Sequence, residues 1–419
     1  MASHNRNPTG RNQYPNAPTL DNKVFVEALK QYHREHISSN KVIKERLSKD
    51  HQIETSESNI KNKRNNLGLY GSRSKKGKRT EQEIEQTVLN QMDKDVVDNI
   101  GVPTTTARIA FDQREHIPRD KVRAIMKLHR PEGFERRNPG GRKTPRTTVT
   151  SIGINERWAA DGHDKLNKIG FPIYAVVDFA TGKILGAWVV PNNRLGSTVA
   201  YLFLSLIEQY KGIPLQFSTD CGSETTMWHG IANALREFFH SDIDIAELAA
   251  HNYMKSIHNI LSERSWLRLR LVFVDNAVAV FERGVAEGIY DPIIPIQEEL
   301  CRWLWAKLLR QDLASYVYFQ NTWPGRKVPY KATPSGVARD TAYKDYHQYG
   351  MDDYLQPLTT EQVDVVRELK ELIGGERPLA FSSEEFDVRA QAAYDELEIK
   401  QLNTENVWHL FEALLTRLV

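Results

Sequence analysis

Residues 174–190 decide the fold, and they read YAVVDFATGKILGAWVV. Two apolar runs, 174–178 and 183–190, lie on either side of the turn Ala180-Thr-Gly182. Apolar runs of this length around a short glycine-containing turn predict a β-hairpin. The segment Arg157-Trp-Ala-Ala-Asp161 is also apolar, and we expect it to form the strand that precedes the hairpin.

The segments after the hairpin have helix and strand patterns in turn. Residues 196–210 have the apolar spacing of a helix, and Leu215-Gln-Phe-Ser-Thr-Asp220 is typical of a buried strand. Most of the chain beyond residue 222 is helical in pattern, with helices predicted at 228–239, 287–319, 360–372 and 404–418. A meander of three strands, a helix and a fourth strand predict an α/β domain.

The composition is that of a globular protein. Hydrophobic residues make up 40% and charged residues 26% of the 419 residues. No apolar run reaches the ~18 residues that span a bilayer, and the polar N-terminus does not predict a secretion signal. The two cysteines, Cys221 and Cys301, are too few for a disulfide framework or a zinc site of the usual spacing. We expect a reducing compartment, cytosol or nucleus.

The charge is distributed unevenly along the chain. Residues 1–150 contain 30 Lys and Arg against 18 Asp and Glu, a net charge of +12. The rest contains 26 basic and 36 acidic residues, a net charge of −10. A basic first part joined to an acidic remainder favours a module that binds a polyanion, fused to a second function. A solvated basic surface without a partner is the alternative.

Three short helices are predicted before residue 72. The first begins near Asp21 as its N-cap, the second after Ser38-Ser39, and the third after Ser56-Glu57. The third helix is basic and rich in asparagine, as in a helix-turn-helix domain whose last helix enters the major groove. We expect DNA contacts on this helix from Asn59, Lys61, Lys63 and Arg64. A structural helical bundle with a charged face is the alternative.

A basic run and a second helical block come next along the chain. The run contributes predicted phosphate contacts and a nuclear-import signal through Arg73, Lys75, Lys76, Lys78 and Arg79. Residues 80–137 are helical in pattern and are compatible with a second helix-turn-helix. The Pro- and Gly-rich segment 138–150 predicts a linker, and 1–20 a disordered tail. The predicted domains are 1–20, 21–72, 73–79, 80–137, 138–150, 151–345 and 346–419.

Three acidic residues stand in unusual contexts. Asp161 and Asp220 each lie within or at the end of an apolar strand, and Glu263 lies in a helical stretch of apolar and basic residues. A carboxylate on a buried strand is costly unless it binds a cation or pairs with a base. Converging carboxylates form the oxygen-rich site that Mg²⁺ prefers. Glu224, four residues after Asp220, is the alternative third acid.

Several motifs between residues 151 and 345 resemble the catalytic core of the retroviral integrase superfamily, the DDE transposases. The likeness is to integrase-core proteins of eukaryotic mobile elements, particularly fungal ones. It is carried by WAADGHDKL at 158–166, GFPI at 170–173, VDFATGKIL at 177–185, STDCGSE at 218–224, NILSERSW at 259–266, NTW at 321–323 and TPSG at 333–336. The second acidic interval, 43 residues, is longer than the spacing of about 36 that is commonest in the family.

The resemblance implies an RNase H-like fold, a mixed five-stranded sheet with flanking helices, preceded by helix-turn-helix-type domains and followed by a helical C-terminal region. It implies that Asp161, Asp220 and Glu263 are both catalytic residues and metal ligands, holding two Mg²⁺ or Mn²⁺ ions. Asp178 would be a structural acid. Arg264 and Arg268, beside Glu263, are candidate phosphate contacts.

The function implied by the resemblance is that of a DNA integrase or transposase, which cleaves and joins DNA strands. Its expected partners are duplex DNA from element ends and target sites, its expected state on DNA is a homo-oligomer, and its expected location is the nucleus. We expect no membrane association. Two alternatives keep the same scaffold: a domesticated, catalytically silent DNA-binding protein, and a simple metal-dependent nuclease.

Overall fold

The computed structural model describes residues 17–74, 79–136, 151–220, 222–253, 266–328, 333–399 and 401–419. The chain divides into two compact units, Met1–Gly140 and Gly141–Val419. No helix in the described ranges is long and apolar enough to cross a membrane.

The first unit begins with three capped helices, α1 Lys23–Arg34, α2 Asn40–His51 and α3 Glu57–Asn66. The side chain of Ser39 caps α2 and that of Ser56 caps α3, because each accepts a main-chain N–H that has no partner within its helix. Asn22 caps α1, so the prediction of Asp21 as N-cap was one residue early. A shared apolar cluster, which includes Phe25, Leu29 and Ile60, holds the three helices together.

Four further helices complete this unit: α4 Glu81–Asp93, α5 Val102–Gln113, α6 Arg119–His129 and α7 Pro131–Arg136. A capping box of Thr80 and Glu83 starts α4, where each residue bonds the other's main-chain N–H. The core of this block includes Val88, Ile109 and Val122. The helical pattern predicted for residues 80–137 is confirmed by these four helices.

Three histidine rings join α1 and its C-terminal turn to the segment after α5. The ring of His116 stacks on that of His33 with centroids 3.9 Å apart, and on that of His36 at 4.3 Å. Nε2 of His116 bonds the main-chain oxygen of His33, and Nε2 of His33 bonds that of Arg114. Burial lowers the pKa of His33 to about 4 and that of His116 to about 3. The rings are therefore neutral at pH 7.

Acidification is expected to unfold the first unit before the second. An unfolded histidine has a pKa near 6.5. Below pH 6.5, His33 and His116 are therefore protonated in the unfolded chain but stay neutral in the folded chain. Stability is therefore lost as pH falls from 6.5 toward 4, by about 3 kcal/mol for each of the two rings at the lower end. All eight tryptophans lie beyond residue 157, so far-UV circular dichroism should change before tryptophan fluorescence does. Dichroism that stays constant down to pH 4 would contradict this expectation.

A variant pair locates the acid response. His116→Phe keeps an aromatic ring in the stack and removes its protonation, so the transition should move to lower pH. His51→Gln, outside the stack, should leave the transition where it is.

The second unit is organised around a five-stranded mixed sheet in the order β4-β3-β2-β6-β7. β3 pairs antiparallel with β2 and β4, whereas β6 pairs parallel with β2 and β7. The strands of the unit, including four short ones outside this sheet, are β1 Gly153–Ile154, β2 Arg157–His163, β3 Ile173–Asp178, β4 Ile184–Val189, β5 Gly212–Ile213, β6 Gln216–Thr219, β7 His251–Tyr253, β8 Asp352–Asp353 and β9 Gln356–Pro357.

Helices cover both faces of this sheet. One face, which includes Trp158, Tyr174 and Val176, packs against α8 Gly196–Tyr210, α9 Thr226–Phe239 and α13 Thr360–Leu372. The opposite face, which includes Ala159 and Val177, packs against α10 Asp275–Ala286, α11 Pro295–Thr322, α14 Glu384–Asp395 and α15 Val407–Leu418. A short helix, α12 Arg339–Lys344, follows α11. The predicted α/β class is confirmed as a mixed five-stranded sheet flanked by helices.

The structure differs from the sequence prediction at two places in this unit. The predicted helix 287–319 begins instead at Pro295, because Gly288 has a φ of +74° and Pro292 follows it, whereas Pro295 fits the first position of a helix. The sequence pattern predicted no strand at the edge strand β7. Its three residues, His-Asn-Tyr, carry no apolar pattern, and pairing with β6 alone makes them a strand.

Candidate active site

Asp161 lies near the carboxyl end of β2, and Asp220 directly follows the carboxyl end of the neighbouring strand β6. β2 and β6 run parallel, with Ala159 opposite Ser218. Each aspartate lies two residues further along its own chain, so continuing the register sets Asp161 opposite Asp220. Because side chains alternate between the two faces of a sheet, the carboxylate of Asp161 leaves on the face to which Ala159 belongs, and the same alternation predicts that face for Asp220. The pairing of β2 with β6 therefore brings together two of the three acids singled out in the sequence.

The buried hydroxyl of Tyr174 lies near this end of the sheet. Tyr174 is on β3, opposite Gly162, the residue after Asp161. Burial raises the pKa of Tyr174 well above its usual value, and three negative charges raise it further, those of Asp161, Asp220 and Glu224. Their common effect on one hydroxyl indicates that the three carboxylates lie around the same end of the sheet.

Asp161 is held by a tryptophan from a distant part of the sequence. The indole Nε1 of Trp266 donates to Oδ2 of Asp161 at 2.8 Å. Trp266 begins the helical residues 266–269, which continue through the π-helical turn Arg270–Val274 into α10. Its ring packs against the apolar cluster of the Ala159 face. A donor fixed by packing orients the carboxylate that it bonds.

Of the two candidates for the third acid, the structure describes only Glu224. Glu263 lies in 254–265, outside the described residues, and its role stays a prediction. Glu224 is half-buried in the turn Ser223–Thr225, with its carboxylate folded over Gly222. A Cβ at position 222 would clash with that carboxylate. Glycine at this position therefore leaves room for the Glu224 side chain. In the described parts of the chain, no three His, Cys, Asp or Glu side chains are close enough to hold a metal ion.

A hydrogen-bonded chain of side chains supports the loop that carries Asp220. Its successive contacts are Asn233 Nδ2 to His229 Nε2 at 3.2 Å, His229 Nδ1 to His251 Nδ1 at 3.0 Å, His251 Nε2 to Thr219 Oγ1 at 2.9 Å, and Thr219 Oγ1 to Asp220 O at 3.0 Å. Burial, and then the neighbouring His229, lower the pKa of His251 to about 4. A neutral imidazole can donate from one nitrogen and accept at the other, as this chain requires.

The predicted DNA contacts on α3 differ in exposure. Lys61 is exposed and Lys63 partly exposed. The amide of Asn59 donates to the main-chain oxygen of Pro18 at 3.1 Å and to Oγ1 of Thr55 at 3.0 Å. The two lysines can reach a phosphate, whereas the Asn59 amide is engaged within its own unit.

Arg64 does not face solvent. Its residue surface is 8% exposed, and its guanidinium donates to the main-chain oxygen of Ser38 at 2.9 Å and to Oδ1 of Asn40 at 2.8 Å. These bonds tie α3 to the start of α2. Arg64 is therefore structural in this unit, and we leave it out of the proposed DNA-binding surface.

The remaining predicted contacts are distributed over both units. Arg73 is exposed, and Arg79 forms an ion pair with Glu115. Arg268 is exposed, on the same helical segment as Trp266. Four further predicted contacts lie outside the described residues: Lys75, Lys76, Lys78 and Arg264.

Known proteins offer few similarities to this chain. No protein-family model and no curated protein matches the chain. Among solved structures, one similar chain belongs to the cryo-EM structure of the simian T-cell lymphotropic virus intasome in complex with PP2A regulatory subunit B56 gamma. The two chains are 16% identical, with 57% of this chain and 70% of that chain covered, and the TM-score is 0.28. The arrangement of Asp161 and Asp220 therefore has to be interpreted on its own.

Sequence reasoning missed the groups that surround the two aspartates. No contact between Trp266 and an acid was predicted, and its bond to Asp161 joins positions 105 residues apart. His229 and His251 carry no recognisable spacing, because α9 and β7 bring them together only in the fold. The one signal in the sequence was the tryptophan in NILSERSW, three residues after Glu263.

Proposed function

We propose that this protein is a DNA strand-transfer enzyme of the DDE integrase or transposase type, with an RNase H-like core in its second unit. The observation that carries the proposal is the position of the two aspartates, near the end of β2 and directly after the end of β6, on strands that pair in parallel. Ligand sites in open α/β sheets lie at such ends. The strand order, with an antiparallel meander joined to a parallel strand, supports the same proposal.

The donor set fits hard divalent cations. Two carboxylates side by side at the end of a sheet repel each other unless a cation lies between them. Asp161, Asp220 and Glu263 would hold two Mg²⁺ or Mn²⁺ ions. Bound there, such ions stabilise the charge that develops on the attacking and leaving oxygens of a phosphoryl transfer.

Glu263 remains the preferred third acid. In the sequence it stands three residues before Trp266, whose indole bonds Asp161. Glu224 is the alternative, supported by its effect on Tyr174.

The first unit would supply most of the affinity for DNA. It carries the excess positive charge of the chain, including the exposed Lys61 and Arg73. The second part of the chain is acidic and would be repelled by phosphates without such a module. Joining two DNA ends in one event requires at least two active sites, so we propose a homo-oligomer on DNA, working in the nucleus.

The test is an assay with the full chain, Mg²⁺ and duplex oligonucleotides taken from the DNA that flanks its gene. Strand cleavage followed by joining to a target duplex supports the proposal. Cleavage without joining makes the protein a nuclease. Salt-sensitive binding without cleavage makes it a silent DNA-binding protein. Neither binding nor cleavage would reject all three functions.

Trp266→Phe is expected to lower strand transfer by 10- to 100-fold at low Mg²⁺, with much of the loss recovered at high Mg²⁺. Phenylalanine fills most of the indole's space but removes the N–H that orients the Asp161 carboxylate. Loss of an outer-shell donor to a metal ligand typically costs this much in metal affinity or activity. The measurement is the Mg²⁺ concentration needed for half-maximal activity.

Trp303→Phe is the matched control. Trp303 also donates its indole N–H to a carboxylate, that of Asp387 at 2.6 Å, but away from the aspartate pair. Removing the indole N–H of Trp303 should leave the Mg²⁺ concentration needed for half-maximal activity unchanged. Equal effects of the two substitutions would show that Trp266 acts through stability and not through Asp161.

A further inference from the structure

Arg339, the first residue of α12, is a cation without a role in the chemistry described so far. Its side chain is partly exposed, and within the described ranges its guanidinium has no ion pair and no hydrogen bond. It lies beside the turn of the β3–β4 hairpin, where a Cβ on Gly182 would stand 3.9 Å from its Nε. The N–H donors of this guanidinium are therefore unused in the part of the chain that the structure describes.

A second guanidinium, that of Arg268, acts on Arg339. Partial burial lowers the pKa of Arg339 to about 10, Tyr316 raises it, and the positive charge of Arg268 lowers it. The side chain of Tyr316, on α11, lines a small apolar cavity together with Trp266, two residues before Arg268. α12 packs against the same helix α11. The segment that carries Arg268 and the start of α12 therefore meet on α11.

Two carboxylates on these segments are bonded to other cations. Oδ1 of Asp340 lies 3.1 Å from Nζ of Lys183, and Oδ2 of Asp275 lies 3.8 Å from Nε of Arg270. Nζ of Lys183 also lies 4.3 Å from the ring centre of Tyr343, so this ion pair fixes α12 to the hairpin. Neighbouring cations without an anion between them repel each other. A bound anion would remove that repulsion.

Phosphate is the anion that fits this place. A guanidinium donates two parallel N–H bonds to a phosphate and stays charged at pH 7. Arg268 is exposed on the helical segment that begins with Trp266, whose indole bonds Asp161. Two residues of helix rise only about 3 Å, so the backbone of Arg268 lies close to the residue that orients the aspartate. A DNA strand at the aspartate pair carries further phosphates past this segment.

We propose that Arg339 and Arg268 together bind a backbone phosphate of the DNA strand that occupies the aspartate pair. The contact presupposes the proposed strand-transfer function and adds a phosphate site to the second part of the chain, whose net charge is −10 beyond residue 150. Phosphate contacts fix the register and orientation of a strand without reading its sequence. The two arginines would hold the strand in place beside Asp161 and Asp220. Arg339 was not among the contacts predicted from the sequence.

The first test is the salt dependence of DNA binding by the full chain, measured by fluorescence anisotropy with a fluorescein-labelled duplex. Arg339→Gln should weaken binding about three- to tenfold and reduce the slope of log affinity against log salt by about 1, as expected for one lost phosphate contact. Arg339→Lys keeps the charge and should keep the slope. Arg367→Gln is the control, because this exposed arginine lies on α13, which covers the other face of the sheet. It should leave affinity and slope unchanged.

Stability distinguishes a binding residue from a structural one. Because Arg339 has no hydrogen bond or ion pair to lose in the described chain, Arg339→Gln should leave the urea midpoint of the second unit unchanged or raise it. A lower midpoint together with an unchanged salt slope would make Arg339 structural and overturn the proposal.

Modification by phenylglyoxal, mapped by mass spectrometry on the unaltered full chain, identifies the anion. Duplex DNA should slow the modification of Arg339 and Arg268 at least fivefold and leave that of Arg367 unchanged. Inorganic phosphate should protect the same two arginines at higher concentration. Stronger protection by polyglutamate than by DNA would overturn the proposal in favour of an acidic protein partner. Protection by inorganic phosphate but not by DNA would overturn it in favour of a small phosphate-bearing ligand.

These measurements separate failure of the contact from failure of the proposed function. Strand transfer by the full chain, with an unchanged salt slope in Arg339→Gln, would overturn the phosphate site and leave the function standing. A full chain that binds no DNA would reject the function together with the site.

Discussion

Replacing Asp161 or Asp220 with asparagine is expected to reduce DNA strand cleavage and joining by about 10³-fold or more, with DNA binding nearly unchanged. Each substitution removes one negative charge from a pair that the register of β2 and β6 sets side by side. The metal ions that the pair would hold contribute several kcal/mol to phosphoryl transfer, and each 1.4 kcal/mol is a factor of ten in rate. Lys61 and Arg73 lie in the other unit and are untouched.

The same assay decides the third acid. Glu263→Gln should be as inactive as the aspartate variants, whereas Glu224→Gln should retain measurable activity. The opposite result would assign the third position to Glu224, which already acts electrostatically on Tyr174 with the two aspartates. Aspartate variants with full activity would remove the basis of the proposed function.

Asp364→Asn is the control for a charge change alone. Asp364 is exposed on α13, where it forms an ion pair with Arg367. Its loss should leave cleavage and joining unchanged. A similar fall in this variant would mean that activity follows the total charge of the unit and not the aspartate pair.

The central sheet was predictable because its pattern is local. The apolar runs around Ala180-Thr-Gly182 produce the β3–β4 hairpin, and the apolar segment at 157–161 produces β2. The position of the acids at strand ends also follows from the sequence. β7 could not be predicted, because its polar residues become a strand only through the parallel pairing with β6.

The surroundings of the site depend on contacts across long stretches of chain. No sequence pattern near Asp161 predicts its hydrogen bond with Trp266. Arg64 shows the opposite error: its position on a basic helix favoured DNA contact, yet the packing of α3 against α2 buries it. Local pattern predicts the elements, whereas burial decides which of their charged residues reach a ligand.

Asp178→Ala is expected to destabilise the second unit by about 4 kcal/mol. Asp178 is fully buried and accepts three hydrogen bonds, from the main-chain N–H of Asn155 at 2.9 Å, the N–H of Thr181 at 2.8 Å and Oγ1 of Thr181 at 2.7 Å. Each buried donor left without an acceptor costs about 1–3 kcal/mol. Asp178→Asn keeps one acceptor oxygen and should cost about half as much. Urea unfolding followed by tryptophan fluorescence measures both.

Asn155 extends the effect of this carboxylate to the rest of the sheet. Its Oδ1 accepts from the indole of Trp158 and the hydroxyl of Tyr343, both at 2.8 Å, and its Nδ2 donates to Asp353. Asn155 has a φ of +55°, a conformation that the Asp178 bond helps to hold. The exposed Asp364→Ala is the control and should cost under about 0.5 kcal/mol. A loss for Asp178→Ala no larger than the control's would mean that this network contributes little.

The dependence on pH gives the sharpest test of Asp178. Burial raises its pKa to about 6, above the ~3.9 of an unfolded aspartate. Between pH 6 and 4 the folded chain therefore binds a proton that the unfolded chain does not, and this group stabilises the fold more as pH falls. His251, with its lowered pKa, acts in the opposite sense within the same unit. The informative quantity is thus the difference in unfolding free energy between the unaltered chain and Asp178→Ala. It should widen from pH 7 to pH 4, and a difference that narrows would mean that the three donors, not burial, set the charge state of this carboxyl.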